Sequence, residues 1–285
     1  MNEKIDIARV IEKIDELPTL PTIYSSLLDA MSNPRSTVTD IAKIIEKDIS
    51  SATKVLKAVN SSVYGLSVKV TSISQAIFHL GFNEVKNLVI TLSLINMFDK
   101  VKGSNVFNLV DFWKHSIAVG IISRQLGLIL GIRQLEDFFL SGVIHDVGKL
   151  FFLKNFYEQY LKTVDFVNDS DISLRDAEAK IFGANHGIVG EMLAIKWKFP
   201  DTIKNAIKSH NNGMVGDTID VLAGCVHLGN IMAHIMNLGF SGDPEVQQPN
   251  IEIWKTLKFS PGTFTKMMPK ILTDYNQSTA ILLVK

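Results

Sequence analysis

The chain has 285 residues, 46% of them hydrophobic, with 29 basic and 29 acidic side chains and a formal net charge of zero. A chain of this length buries about 75% of the surface its unfolded form exposes, so a packed globular protein is expected and disorder is not. Neutral charge argues against non-specific nucleic-acid binding, and the single Cys225 excludes an internal disulfide framework and a thiolate metal site.

Met1 to Val10 alternates charge with aliphatic residues and lacks the apolar stretch of a signal peptide. Apolar residues then recur at three and four in Ile41, Ile44 and Ile45 and again in Val55, Leu56 and Val59, which marks buried helix faces. Val68 to Thr71 is short enough to be extended. Ser72-Ile73-Ser74-Gln75 has capping-box spacing, Gly81 reads as a left-handed stop, and Asn83 reads as the cap of a helix running to Phe98. Gly103, Ser104 and Asn105 lie in a connection from Lys100 to Asn108. Ser173 to Asp176 opens a further helix closed by Gly183, Asn185 caps another reaching Phe199, and Pro200 stands at the first turn of the next. Asn211 to Asp217 and Gly239 to Asn250 read as loops.

No alternating series builds a sheet, so the fold class is all-α. No apolar run approaches the ~20 residues that span a bilayer, because Arg124 and Gln125 interrupt Ile117 to Ile132 and Leu88 to Phe98 is short. A cytoplasmic protein without a membrane partner is expected. The composition breaks suggest an N-terminal helical lobe over 1–104, a helical core over 105–212, and C-terminal helices over 213–285.

The chemistry concentrates around His145-Asp146-Val147-Gly148-Lys149. An adjacent His and Asp give a metal two different ligands from one stretch of backbone, and a nearby lysine can neutralise a phosphate brought to it. His115, His186, His210 and His227 fall at intervals consistent with an inward-facing cluster. The alternative for each is a core histidine bonded to a carbonyl, and for His210 an interaction with the negative end of its own helix. His227, Asn230 and His234 share one helix face that can line a polar pocket. Asn230 is neutral and would coordinate more weakly than a carboxylate. His79 has no acidic neighbour and is assigned to packing, and the Phe138-Phe139 and Phe151-Phe152 pairs to the core. No glycine-rich phosphate loop and no serine in a Gly-flanked elbow are present.

Several motifs together resemble the HDOD domain: Leu17-Pro18-Thr19-Leu20-Pro21, Ile44-Ile45-Glu46-Lys47-Asp48, Asn60-Ser61-Ser62-Val63-Tyr64-Gly65, Ala76-Ile77-Phe78-His79-Leu80-Gly81, Phe182-Gly183-Ala184-Asn185-His186 and Trp197-Lys198-Phe199-Pro200. The resemblance runs from Leu17 to about His210. It implies a compact multi-helical fold related to the HD superfamily of metal-dependent phosphohydrolases, with an extra N-terminal helical lobe. It also implies a regulatory scaffold more firmly than a reaction. By the same resemblance, His115, His145 and Asp146 match the first three ligands of the hydrolase metal, and Asn230 fills the fourth position, where active members have Asp. Lys149, His186 and His210 resemble residues of the branch that hydrolyses cyclic-di-GMP. That branch has paired histidines where this chain reads His210-Asn211, and its Gly-Tyr-Pro signature is absent here.

Replacing a carboxylate and an imidazole by amides favours a signalling module that works by binding. The metal set is then His115, His145, Asp146, His186, His210 and the degenerate Asn230, holding a divalent transition metal such as Fe, Mn, Zn or Ni. The expected partners are other signalling proteins, docking on the N-terminal lobe, and a phosphorylated small molecule; the charge balance argues against nucleic acid. The alternative is a weak metal-dependent phosphoric ester hydrolase, in which Asp146 would orient the attacking water and Lys149 stabilise charge on the phosphoryl oxygens.

Overall fold

The computed structural model describes residues 5–16, 22–33, 35–168 and 170–283. The Leu17–Pro21 motif lies outside them. Sixteen helices and one small hairpin make up the described chain. They form two compact units, one of residues 5–16 and 100–267 and the other of residues 22–99 and 268–283.

The second unit contains α2 (Thr22–Ser32), α3 (Val38–Glu46), α4 (Ile49–Val59), α5 (Ile73–Leu80), α6 (Phe82–Phe98) and the later part of α16 (Pro261–Leu282). Its helix starts are written locally. Thr37 and Asp40 form a reciprocal capping box on α3, and the Asp48 carboxylate accepts from the Ser50 and Ser51 N–H groups at the start of α4. Of the residues at three-and-four spacing, Ile45, Val55 and Val59 are buried as expected, whereas Ile41, Ile44 and Leu56 are half-buried. Asn60 ends α4, and its amide both donates to the Val70 carbonyl and accepts from the Val70 N–H, at 2.8 Å each. It thereby clamps the intervening loop. Ser62 bonds Asp274 at 2.8 Å and Gln277 at 2.7 Å, which ties α16 into this unit.

Two local expectations are corrected here. Gly81, at φ 84 and ψ 160, closes α5 and opens α6 directly, so Asn83 falls inside the first turn and does not cap it. His79 is exposed, edge-on to an equally exposed Phe78, because the buried face of α5 is set by Ile73, Ala76 and Ile77.

The first unit carries α1 (Ile7–Glu16), α7 (Leu109–Ile129), α8 (Glu136–Ile144), α9 (Val147–Asn155), α10 (Tyr157–Asn168), α11 (Leu174–Phe182), α12 (His186–Lys196), α13 (Asp201–Ser209), α14 (Val221–Ile235) and α15 (Ile251–Thr256). It differs from the expected 105–212 segment at both ends. Lys196 donates to the Ile14 and Asp15 carbonyls, which draws α1 into this unit, and α14 packs along α7. Between α13 and α14 the expected loop folds into a hairpin of β1 (Met214–Val215) and β2 (Thr218–Ile219). These are the two strands among the described residues; they are too short for a periodic signal.

Helix α7 is buried almost throughout and packs on α8 and α14. A methyl group at Gly142 of α8 would lie 2.5 Å from the Gly120 Cα of α7, so the crossing requires both glycines. The Phe138, Phe139, Phe151 and Phe152 side chains are buried, as assigned. No helix among the described residues is long and apolar enough to cross a membrane.

Candidate metal centre

The close α7–α8–α14 packing carries His115, His145 and Asn230 toward one another. His145 and Asp146 occupy the junction between α8 and α9, so two adjacent side chains reach the same interior from a change in chain direction. Lys149 follows one turn into α9. His186 begins α12 behind its Asn185 cap, whose side chain accepts from the Ile188 N–H at 3.0 Å. His210 ends α13. A methyl group on Gly148 would overlap the His186 carbonyl oxygen, so this glycine lets α9 and α12 touch where their ligands lie.

His115, His145, Asp146, Lys149, His186 and His210 are each 2% exposed or less. Asp146 is the hub. One carboxylate oxygen lies 3.4 Å from His210 Nε2 and 3.5 Å from His186 Nε2, and the other 3.3 Å from His145 Nε2 and 2.7 Å from the Lys149 Nζ. His186 and His210 approach to 3.3 Å through their Nε2 atoms. His115 reaches Asn230 Oδ1 with Nε2 at 2.8 Å, and its ring stands 5.7 Å from that of His145 and 4.6 Å from that of His234.

The other ring nitrogens are already engaged. His145 Nδ1 donates to the Gly142 carbonyl and His210 Nδ1 to the Ile207 carbonyl, each at 2.7 Å. His186 Nδ1 donates to Glu178 Oε2 at 2.5 Å, and the same oxygen accepts the His186 backbone N–H at 2.7 Å. Tyr160 donates to the other Glu178 oxygen at 3.0 Å. With the proton held on Nδ1, each imidazole presents a lone pair on Nε2.

Lone pairs and carboxylate oxygens therefore converge: Asp146 Oδ1, His145 Nε2 and His115 Nδ1 make no hydrogen bond, and Asp146 Oδ2 is met by the Lys149 ammonium. Buried acceptors facing one another need a cation between them. Lys149 supplies part of that charge. Among the described residues, two donor sets lie within 4.8 Å: His115, His145 and Asp146, and Asp146, His186 and His210. Imidazole with carboxylate is a donor set suited to a divalent transition metal, and these residues fit one.

Burial pushes the His115 imidazole well below its usual pKa, reinforced by His234 and His145, and pushes His210 down in the same way. Burial alone would raise Asp146, but neighbouring His145 and the Lys149 ammonium hold its carboxyl well below the carboxylate range. Burial would likewise lower Lys149, yet Asp146 and Asp243 raise it above its usual value. Neutral His115 and His210 imidazoles thus flank a charged Asp–Lys pair.

The structure brings His115, His145, Asp146, Lys149, His186, His210 and Asn230 together, as the sequence reading grouped them. It does not bring His227 or Asn211 in. His227 bonds the His210 carbonyl and the Asn250 N–H, each at 3.0 Å, and Asn211 pairs with Gln247 at 2.6 Å. Lys149 is directed to Asp146 and to Ser241, which it reaches at 3.3–3.4 Å. Glu178, Tyr160, Ser241 and Asp243 were not found from sequence. Glu178 lies inside a helix eight residues before His186, and no local spacing relates the two.

A buried His–Asp cluster on crossing helices defines an all-helical domain with a candidate metal site. The chain belongs to the HDOD domain family, whose model matches residues 17–213. A Treponema pallidum (strain Nichols) protein with no assigned function is 25% identical over 206 residues, covering 72% of this chain and 39% of that protein. This chain therefore spans well under half of that curated relative. A candidate phosphohydrolase of Shewanella amazonensis SB2B superposes with a TM-score of 0.77 at 24% identity, covering 96% of this chain and 97% of that one. A candidate signal transduction protein of Marinobacter aquaeolei VT8 gives a TM-score of 0.73 at 20% identity, covering 94% and 60%. These likenesses show the fold.

Proposed function

We propose that the chain is a cytoplasmic signalling module that acts by binding, with a metal held at a partly degenerate HD centre. The observation carrying this reading is the closure of that centre. A phosphate ester must reach the metal ligands to be cleaved, yet every one of the six central side chains is 2% exposed or less. Lys149, the group suited to a phosphoryl oxygen, is instead engaged by Asp146 and Ser241. The amide of Asn230 faces His115 where a carboxylate would add charge, and Asn211 pairs with Gln247 outside the cluster.

His145, Asp146, His186 and His210 would hold the metal, with His115 beside Asn230. A bound divalent ion would supply Lewis acidity and a fixed positive charge. Glu178 keeps the His186 ring in its metal-binding tautomer, and the Gly142 and Ile207 carbonyls do the same for His145 and His210. A bound ion would thereby link α8, α9, α12 and α13. Partner signalling proteins would dock on the unit of residues 22–99 and 268–283. This is supported by its open groove of about 700 Å³, lined by Leu56, Val70, Ala280 and Ile281 with Lys57 and Lys69.

A second reading, a metal-dependent phosphoric ester hydrolase, is favoured by one observation: Asp146 belongs to both donor sets, the arrangement a two-ion hydrolytic centre uses. Elemental analysis of protein purified without added metal, followed by assays with generic phosphodiesters and cyclic dinucleotides, separates the two. The module reading expects bound metal and no turnover. Metal-dependent turnover abolished by Asp146→Ala would overturn it.

A further inference from the structure

We infer that a polar cleft beside the metal centre, walled by the starts of α11 and α12, the end of α13 and the hairpin, binds a phosphorylated small molecule of mononucleotide size. The cleft encloses about 420 Å³, within the range of small-molecule sites. Its lining contains Arg175 and Lys208, several asparagines, and no carboxylate.

The asparagines are biased toward donation. Asn185 Oδ1 accepts the Ile188 N–H and Asn212 Oδ1 the Met214 N–H, at 3.0 and 3.1 Å. A backbone N–H can only donate, so these contacts fix which amide atom is the oxygen. Asn211 Oδ1 is likewise taken by Gln247 at 2.6 Å. With those acceptors engaged, the amide nitrogens of Asn185, Asn211 and Asn212 make no hydrogen bond among the described residues, and neither does Asn205. Among the described residues Arg175 has only Asp176 as an ion-pair partner, at 3.9 Å, whereas Lys208 is paired with Glu191 at 2.9 Å. A space lined by donors and a weakly engaged guanidinium selects an anion with several acceptor oxygens, which a phosphate monoester is. The further amides and the volume suit the rest of a nucleotide better than free phosphate.

The position gives the ligand a consequence. Asn185 precedes His186, and Ser209 and Asn211 flank His210, so the wall of the cleft is the backbone that carries two centre histidines. The inference rests on the binding-module reading and names its ligand class.

Calorimetric titration of the full chain with GMP, guanosine and inorganic phosphate tests it. GMP is expected to bind at least about tenfold more tightly than guanosine, and Arg175→Ala to weaken GMP by about tenfold, as for loss of one charge-assisted hydrogen bond. Asn205→Ala should weaken it further, and Arg133→Ala, an exposed charge elsewhere, should leave it unchanged. Arg175 is itself exposed, so its variants keep the fold. Equal affinity for GMP and guanosine, no GMP binding at millimolar concentration, or full binding by Arg175→Glu would overturn the proposal. So would binding that survives Arg175→Ala but is lost in Asp146→Ala, which would put the anion at the centre. Hydrolysis of GMP by the unaltered protein would instead count against the module reading, with Arg175 dependence still reporting on the cleft.

Discussion

Asn230 and Glu178 set the character of the centre from opposite sides. Asn230 offers His115 a neutral oxygen at 2.8 Å, so Asn230→Asp adds an anionic ligand without changing shape. Divalent-metal affinity should rise by about tenfold or more, because hard cations favour carboxylate over amide oxygen. Unchanged affinity in calorimetry would mean that residue 230 contributes nothing to the ion. Glu178 acts one step further out, holding His186 through both its ring and its backbone N–H. Glu178→Gln keeps the size but removes the charge that fixes the tautomer, and losses of about 10–100-fold in metal affinity follow from such changes. A competitive chelator titration that found no difference would remove Glu178 from the account. His115, His145, Asp146, His186 and His210 were legible because the chain has only seven histidines and the His-Asp doublet is local. Glu178 was not, since a glutamate in an ordinary helix looks the same whether it faces solvent or an imidazole.

Between elements, glycine decides which helices can meet. Gly148 in α9 lies against the His186 carbonyl of α12, and a methyl group there has no room. Gly148→Ala should lower stability by about 1–3 kcal/mol through forced separation of the two helices. Metal affinity should fall with it, since His186 and Asp146 would move apart. Urea melts read with metal titrations check both, and a variant as stable and as tight as the parent would contradict the packing. Three of the helix starts were legible for a local reason: Ser72, Ser173 and Asn185 each accept a backbone N–H three residues on. The Asn83 start failed because Gly81, with its positive φ, joins α5 to α6 without a polar cap. The 214–219 hairpin failed because two-residue strands have no period to detect.

For the molecule, burial governs the response to alkali. Cys225 is fully buried in α14, and burial, aided by Asp220, pushes its thiol from 9.0 to about 12. Between those values the unfolded chain has lost a proton that the folded chain retains, so stability falls as pH rises through that window. The thiol should be inert to Ellman's reagent in the native protein at pH 8–9 and react once urea unfolds it. Cys225→Ala should flatten the alkaline loss measured by denaturant melts, and a steep, unaltered loss in this variant would assign the effect to other groups.

By itself the sequence determined the helical class, several helix boundaries and the identity of the central histidines and aspartate, because periodicity, caps and the His-Asp doublet are encoded within a few residues. Tertiary structure alone decided that α1 and the later part of α16 join units far from them in sequence, that Lys149 neutralises Asp146, and that Asn211 leaves the centre for Gln247. It also decided that the centre is closed to solvent. Each of these depends on which distant helices touch, and close contact between remote segments leaves no pattern in any one stretch of chain.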